Sequence, residues 1–313
     1  MPPAVTIILA TFDRLELLRP AVASAFAQSF EDWELVIADD GSGAETRAYL
    51  QELHGLPRVK VIWLRHIGRP SVVRNAALRE ARGEYVAFLD SDDVWLPNKL
   101  EIQIASLRGR APRQWSYTKF ILVDPAGNST AWQRARGWPV PDGWILEKLL
   151  TPETVIALPS VMVRRELLDR IGGFDENLTM CEDYDLWLRL AILSEVDAVD
   201  EPLTRVTRHA QHYGSERVSY QDCARVFEKL LKTEGTEHVH SILREKHAEV
   251  TAGLAGCCAA GGDRWDALST LASSARYGWR HRRWWRGVVR AAAGALSSWR
   301  EPLSRRARPG APP

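Results

Sequence analysis

Four short apolar runs, set apart by segments of helical period, constrain this chain more than any other feature. Val5–Ala10 is compact and β-branched, as a fully buried strand is, and Glu34–Ala38, Val59–Leu64 and Tyr85–Leu89 read as the second, third and fourth strands. Between them Leu15–Gln28, Glu45–Leu53 and Val72–Ala81 carry apolar residues at helical spacing, with Leu15, Leu18, Val22, Ala25 and Phe26 marking the first. Ser71, just after Pro70, reads as the N-cap of the third helix. Strand–helix alternation with short joints predicts an α/β fold, a mostly parallel sheet with helices on both faces.

In such sheets ligands bind outside the carboxyl ends of the strands. Here those ends carry Thr11 and Asp13, then Asp39 and Asp40, then Asp90, Asp92 and Asp93. A rim built for stability alone has little reason to gather like charges. Clustered carboxylates repel unless a proton or a cation offsets them. Oxygen donors of this kind suit Mg²⁺ or Mn²⁺, which take one or two carboxylates together with substrate phosphates. An Asp-rich turn capping the helix near Pro97 is the plainer alternative.

Downstream the pattern predicts a helix over Lys99–Leu107, a strand over Trp115–Val123 and a turn at Asp124–Asn128. Residues 129–159, with Trp132, Trp138 and Trp144 among Pro and Gly, read as a long structured loop. A strand at Ser160–Val163, a short helix at Arg165–Ile171 stopped by Gly172-Gly173, and an amphipathic helix at Glu182–Leu193 follow. Glu182, Asp183 and Asp185 open that last helix. The helix dipole alone accounts for acids in a first turn, but a carboxylate near a metal-held leaving group is also a natural general base.

The 313 residues are 45% hydrophobic and 26% charged, which excludes wholesale disorder, a collagen-like repeat and a small disulfide scaffold. Cys181, Cys223, Cys257 and Cys258 show no C-x-x-C zinc spacing, and a reducing cytoplasm is the expected compartment. The opening Met-Pro-Pro-Ala-Val-Thr lacks the basic and apolar regions of a secretion signal, and no apolar run reaches the ~18 residues of a membrane span. There is no G-x-G-x-x-G and no Walker loop, and His238, His240 and His247 read as residues of a solvated helix.

Net charge is +1, yet residues 276–313 hold ten Arg and a single acid, Glu301, so the tail carries +9 and residues 1–275 carry −8. The stretch Tyr277–Leu296 mixes Arg, Trp and small apolar residues. Such a segment suits the interface of a membrane, with Arg at phosphates and Trp at headgroup level. The alternative packs Trp284, Val288 and Leu296 onto the protein. No nucleic-acid-binding module is present, so no nucleic acid partner is expected.

Ala4–Arg14, Ile37-Ala-Asp-Asp-Gly-Ser42, Arg74-Asn75-Ala76, Gly83-Glu-Tyr-Val-Ala-Phe-Leu-Asp-Ser-Asp-Asp-Val-Trp95, Gly172-Gly-Phe-Asp175 and Glu182-Asp-Tyr-Asp-Leu-Trp-Leu-Arg189 occur in this order. Together they closely resemble glycosyltransferase family 2, inverting enzymes of GT-A fold that use nucleotide-diphosphate sugars. The resemblance spans about residues 4–215, and it implies a Rossmann-like mixed sheet flanked by helices. A helical C-terminal region would occupy 216–303 and a disordered tail 304–313. Carried over by position, Thr11, Asp13, Asp39, Asp40, Arg74 and Asp90 would line the donor pocket. Asp92 would be the main metal ligand, assisted by Asp90 and Asp93, with His209 or His212 near the diphosphate. Asp183 would be the catalytic base and Glu182 would contact the acceptor or orient the loop. The implied partners are a nucleotide-diphospho-sugar, UDP-linked, and a glycan or lipid-linked acceptor of cell-surface polysaccharide synthesis. The cofactor would be Mn²⁺ or Mg²⁺, and the enzyme would be cytoplasmic and peripheral on the inner face of the membrane. A sugar nucleotidyltransferase is disfavoured by the missing Gly-rich loop, and a non-catalytic sugar-nucleotide-binding protein by the intact acids.

Overall fold

The computed structural model describes residues 2–110, 112–129, 139–151, 154–208, 215–282 and 284–289. The chain divides into two compact units, Met1–His212 and Tyr213–Pro313. The sequence expectations for His209, His212, Trp132, Trp138, Leu296 and residues 304–313 lie outside the described residues.

The first unit holds an eight-stranded mixed sheet. Its parallel half consists of β1 (Val5–Thr11), β2 (Trp33–Asp39), β3 (Val59–Trp63) and β4 (Tyr85–Asp90) in the order β3-β2-β1-β4. The register pairs Thr11 with Asp39 and Ala10 with Asp90, so the strands leave the sheet at one level and their polar exits form one rim. Period-two alternation sends Val5, Ile7 and Leu9 to one face, where they share a core with Leu18 and Val22 of α1 (Leu15–Phe26) and Leu50 of α2 (Ala44–His54). Leu100 and Ile104 of α4 (Lys99–Leu107) complete that layer. On the other face Phe88 meets the rings of Phe174 and Trp187, and Trp187 stacks on Trp115 at 6.0 Å.

α3 (Pro70–Leu78) corrects one expectation. Ser71 is not its cap, because the N-cap is Arg69 and Pro70 occupies the first turn, where a missing N–H is harmless. The Ser71 hydroxyl instead donates to the Leu178 carbonyl at 3.1 Å.

The sheet continues through β7 (Val161–Arg164), antiparallel to β4, then β6 (Arg113–Val123), β8 (Glu195–Thr207) and β5 (Val94–Trp95). β6 and β8 run parallel with register shifts around Thr118 and Lys119. The short helices α5 (Leu146–Leu149) and α6 (Arg165–Ile171) precede α7 (Glu182–Leu193). α6 ends as read, with Gly172 left-handed at its C-cap.

The second unit is helical, as expected, with α8 (Glu216–Leu230), α9 (His240–Ala260) and α10 (Arg264–Gly278). Its core gathers Ala248, Ala255, Cys258, Ala267, Leu271 and Trp284, with Val288 packed against it. Trp284 donates its indole N–H to Ser274 Oγ at 2.9 Å, and a Cβ on Gly278 would fall 2.2 Å from the Trp284 ring. Trp284 and Val288 therefore follow the packing alternative. His247 corrects a further expectation, for it is buried rather than solvated, with Nε2 at 3.2 Å from Glu228 and its ring edge-on to Tyr277. Burial lowers its pKa, against the raising effect of Glu228. Among the described residues no helix is long and apolar enough to cross a membrane.

Candidate active site

The rim is assembled by loops whose backbone amides are spoken for by its own acids. Asp13 has a positive φ of 46°, unusual for a residue with a side chain, and its Oδ1 accepts from Gly43 N–H at 2.6 Å. Its own N–H donates to Ser42 Oγ at 2.9 Å, while Ser42 N–H reaches both Asp39 oxygens at 3.2 and 3.3 Å. The exits of β1 and β2 are thus laced together. Asp40 accepts from Ile67 N–H at 2.8 Å and Gly68 N–H at 2.9 Å, and His66, stacked on Phe12 with centroids 4.0 Å apart, lies 3.1 Å from it. Gly41 must be glycine here, because at φ +85° a Cβ would meet His66 N at 2.7 Å. Thr11 Oγ1 is buried and has no hydrogen-bond partner among the described residues.

The exit of β4 is the most charged part of the rim. Arg74 of α3 donates to Asp90 Oδ1 at 2.8 Å with one nitrogen and to Glu182 Oε1 at 2.7 Å with the other. One guanidinium therefore joins residues 16 and 108 positions away, bringing the acids that end β4 to the acids that open α7. Its pKa is raised, since Asp90 and Glu182 outweigh the opposing desolvation. Its cation also stands over the Phe174 ring, 5.6 Å from the centroid.

Asp183 follows Glu182 and is partly buried, with Oδ1 accepting from Tyr184 N–H at 2.7 Å. Desolvation, then the charges of Glu182 and Asp90, push its carboxyl up to about 7, although Arg74 and the Tyr184 amide pull the other way. A carboxyl poised there changes hands with a proton near neutrality.

The start of α7 is held in place from α3. Asn75 grips Phe174 at both ends of its amide, Nδ2 donating to the Phe174 carbonyl at 2.8 Å and Oδ1 accepting from its N–H at 2.9 Å. Arg189, paired with the fully buried Asp185, donates to the carbonyls of Ile171 and Gly173 at 3.0 and 2.8 Å. At the other end Tyr184 Oη donates to the Leu149 carbonyl at 3.0 Å, fastening α5 beside Asp183.

Asp92 and Asp93 part company after β4. Asp92 pairs with Arg14 at 3.1 Å, and its carbonyl accepts from Thr207 Oγ1 at 2.6 Å. Asp93 is buried and accepts from Thr207 N–H at 2.8 Å. Burial, then Asp90 and Asp92, push its carboxyl well above the ordinary range. Negative charge in excess of nearby cations, carried by hard oxygen donors, is the environment a divalent cation relieves. Among the described residues no three His, Cys, Asp or Glu side chains form a complete ligand set. An ion here would take Asp92 and its neighbours together with oxygens of a bound phosphate.

The structure thus brings together Arg74, Asp90, Glu182 and Asp183, links Asp13 to the Asp39 turn, and sets Asp92 against Arg14. Sequence reasoning missed Arg14, Thr207 and the gripping role of Asn75. Arg14 carried a signal, being adjacent to Asp13, whereas Thr207 ends a strand that was not read at all.

The sequence profile of "Glycosyl transferase family 2" matches residues 6–172, more than half of the chain. The chain belongs to glycosyltransferase family 2. It is similar to the glycosyltransferase TuaG of Bacillus subtilis (strain 168), provisionally named for teichuronic acid biosynthesis, with 32% identity over 60% of this chain and 72% of the relative. It is 29% identical, over 63% of this chain and 73% of the relative, to the Escherichia coli UDP-Glc:alpha-D-GlcNAc-diphosphoundecaprenol beta-1,3-glucosyltransferase WfgD. Among solved structures, S. aureus TarS 1–349 in complex with UDP-GlcNAc aligns with a TM-score of 0.70 and 18% identity over 96% of this chain and 89% of that one. The mannosyltransferase PcManGT of Pyrobaculum calidifontis, with GDP-Man and Mn²⁺, aligns at 0.58 and 20% identity over 95% and 88%. At these identities the structural likeness speaks to the fold, and the sheet of this family 2 glycosyltransferase is of the same GT-A type.

Proposed function

We propose that this glycosyltransferase moves a sugar from a nucleoside diphosphate donor, UDP-linked, to a hydroxyl of a glycan or lipid-linked acceptor, inverting the anomeric carbon, and that residues 1–215 carry the reaction. The observation that bears most weight is the Arg74 bridge, which sets the acids ending β4 against Asp183. The names of the relatives favour the same donor and acceptor classes, since WfgD is named for UDP-Glc and a diphosphoundecaprenol-linked acceptor and TarS was solved with UDP-GlcNAc.

Thr11 would line the nucleotide pocket and Asp39, paired with it across β1 and β2, would face the base. Asp13 and Asp40 act by holding the two loops that frame this pocket, through Gly43 and through Ile67 and Gly68. Asp90 would meet the ribose or sugar, and Arg74, held between Asp90 and Glu182, would face the nucleotide. Asp92, with Asp90 or Asp93 as a second carboxylate and diphosphate oxygens completing the set, would hold Mn²⁺ or Mg²⁺, which would supply charge neutralisation at the leaving diphosphate.

Asp183 is the base. Its carboxylate takes the proton of the acceptor hydroxyl while that oxygen attacks the anomeric carbon on the face opposite the departing diphosphate. One displacement inverts the centre, so an α-linked donor gives a β-linked product and no sugar–enzyme bond forms. Glu182, paired with Arg74 at 2.7 Å, sets its carboxylate beside Asp183, and that charge makes Asp183 the better base.

The test is release of nucleoside diphosphate from a panel of UDP- and GDP-sugars, with a lipid-linked acceptor and with Mn²⁺ or EDTA, followed by NMR assignment of the new linkage. Metal-stimulated transfer from a UDP-sugar with inverted configuration is expected. A product that retains the donor's configuration would overturn the single-displacement scheme.

A further inference from the structure

α10 has two apolar faces where a surface helix needs one. Ala267, Leu271, Ser274 and Gly278 are buried on the face turned to the helical core. At 3.6 residues per turn Trp265, Leu268, Ala272, Arg276 and Trp279 fall within about 80° of arc on the opposite side. Trp265 is 84% exposed, Leu268 58% and Trp279 54%. The stripe continues past the helix end, where the Trp285 indole donates to the Trp279 carbonyl at 2.8 Å and Trp285 and Val289 are 52% and 65% exposed.

Basic groups accompany the rings. Arg276, Arg280, Arg282 and Arg286 are exposed, and Arg280 lies over the Trp279 ring, 4.6 Å from its centroid. The acids at the start of α10, Asp263 and Asp266, are both held by Arg217, so they do little to mask this charge.

We propose that the outward face of α10, continued by Trp285 and Val289, is a contact surface for a membrane bearing anionic headgroups. Indole rings settle at the boundary between headgroups and acyl chains, and guanidinium groups beside them engage phosphates. A second copy of this chain is a poorer occupant. Arg276, Arg280, Arg282 and Arg286 make this face cationic, so two such faces repel, whereas an anionic surface attracts them. The buried Trp284 is no part of the contact, because its indole is committed to Ser274. The inference rests on exposure and charge in the second unit and is independent of the proposed sugar transfer.

The experiment is cosedimentation of the full chain with vesicles of phosphatidylglycerol and phosphatidylcholine in equal parts, against pure phosphatidylcholine. Binding to the anionic vesicles that weakens in salt is expected. The double variant Trp265→Ser/Trp279→Ser should lower partitioning at least about tenfold while keeping the wild-type melting temperature and donor turnover. Arg280→Glu/Arg282→Glu should abolish the preference for anionic vesicles. Wild-type partitioning by the Trp variant overturns the proposal, as does absence of binding by the native chain. A dimer in analytical ultracentrifugation that the Trp variant dissolves would assign the face to a second copy and overturn it too.

Discussion

Replacing Asp183 by Asn exchanges activity for stability, and the size of the exchange follows from the site. Burial and the charges of Glu182 and Asp90 raise the Asp183 carboxyl from 3.8 to about 7. That difference corresponds to roughly 4 kcal/mol of destabilisation carried by the ionised group in the folded state. Asn carries no charge and its Oδ1 can still accept from the Tyr184 amide. Burial of the neutral amide offsets part of the gain, which leaves about 1–3 kcal/mol, or ~2–4 °C of melting temperature per kcal/mol.

The pH dependence identifies the source. Because the folded state binds this proton more tightly than the unfolded chain, the native contribution declines as pH rises from the unfolded value of 3.8 to the folded value of about 7, and is flat above. The advantage of Asp183→Asn should therefore be greatest near pH 8.5 and shrink by ~1.4 kcal/mol per pH unit between about 7 and 5. Thermal melts of both proteins at about pH 8.5 and 5, paired with transfer assays, measure this. Transfer should fall ~10²–10⁴-fold with donor affinity kept. A variant no more stable than wild type at alkaline pH, or equally stabilised at both pH values, would refute the electrostatic reasoning, and undiminished transfer would remove Asp183 from the role.

In the wild-type enzyme kcat/KM should fall about tenfold per pH unit below about pH 7, as Asp183 takes up its proton, and a profile flat to pH 5.5 would contradict this. Asp92→Ala should weaken Mn²⁺-dependent UDP binding at least about tenfold in calorimetry and leave binding in EDTA unchanged. Arg74→Met removes the cation between two carboxylates and should destabilise the first unit by roughly 3–5 kcal/mol in urea denaturation, where an unaltered midpoint would show the bridge to be idle. Asn75→Ala strands both polar groups of Phe174 and should lower stability by about 1–3 kcal/mol per group left unpaired, read from the same titration.

Of the four parallel strands β1, β2 and β4 were legible because each is buried on both faces and reads as a compact apolar run, whereas the edge strand β3 was legible through Val59 and Val61 alternating with the exposed Lys60. β8 was not, since Glu195–Thr207 alternates acids with apolar residues, includes Pro202 and takes its place through pairing with a bulged β6. Two-residue β5 exists as an antiparallel partner of β8 and has no period of its own. Ser71 looked like a cap because the side chain fits one, and the hydroxyl was drawn away by Leu178, 107 residues on. His247 seemed solvated because the sequence could not show Tyr277 and Glu228 closing over it. For the site, the acids at strand exits announced themselves by type and place. Their geometry depended on Arg74 and Asn75, whose partners Glu182 and Phe174 lie about a hundred positions away and leave no local pattern.

Arg74 and Asn75 are neighbours on one helix, and they point to different tasks. The first spans two carboxylates and the second clasps the turn before α7. Losing or gaining one residue upstream within α3 would rotate both by about 100° and release both together. A change of length in α3 therefore costs both anchors at once, a loss that a change in the exposed turn at 124–128 does not entail.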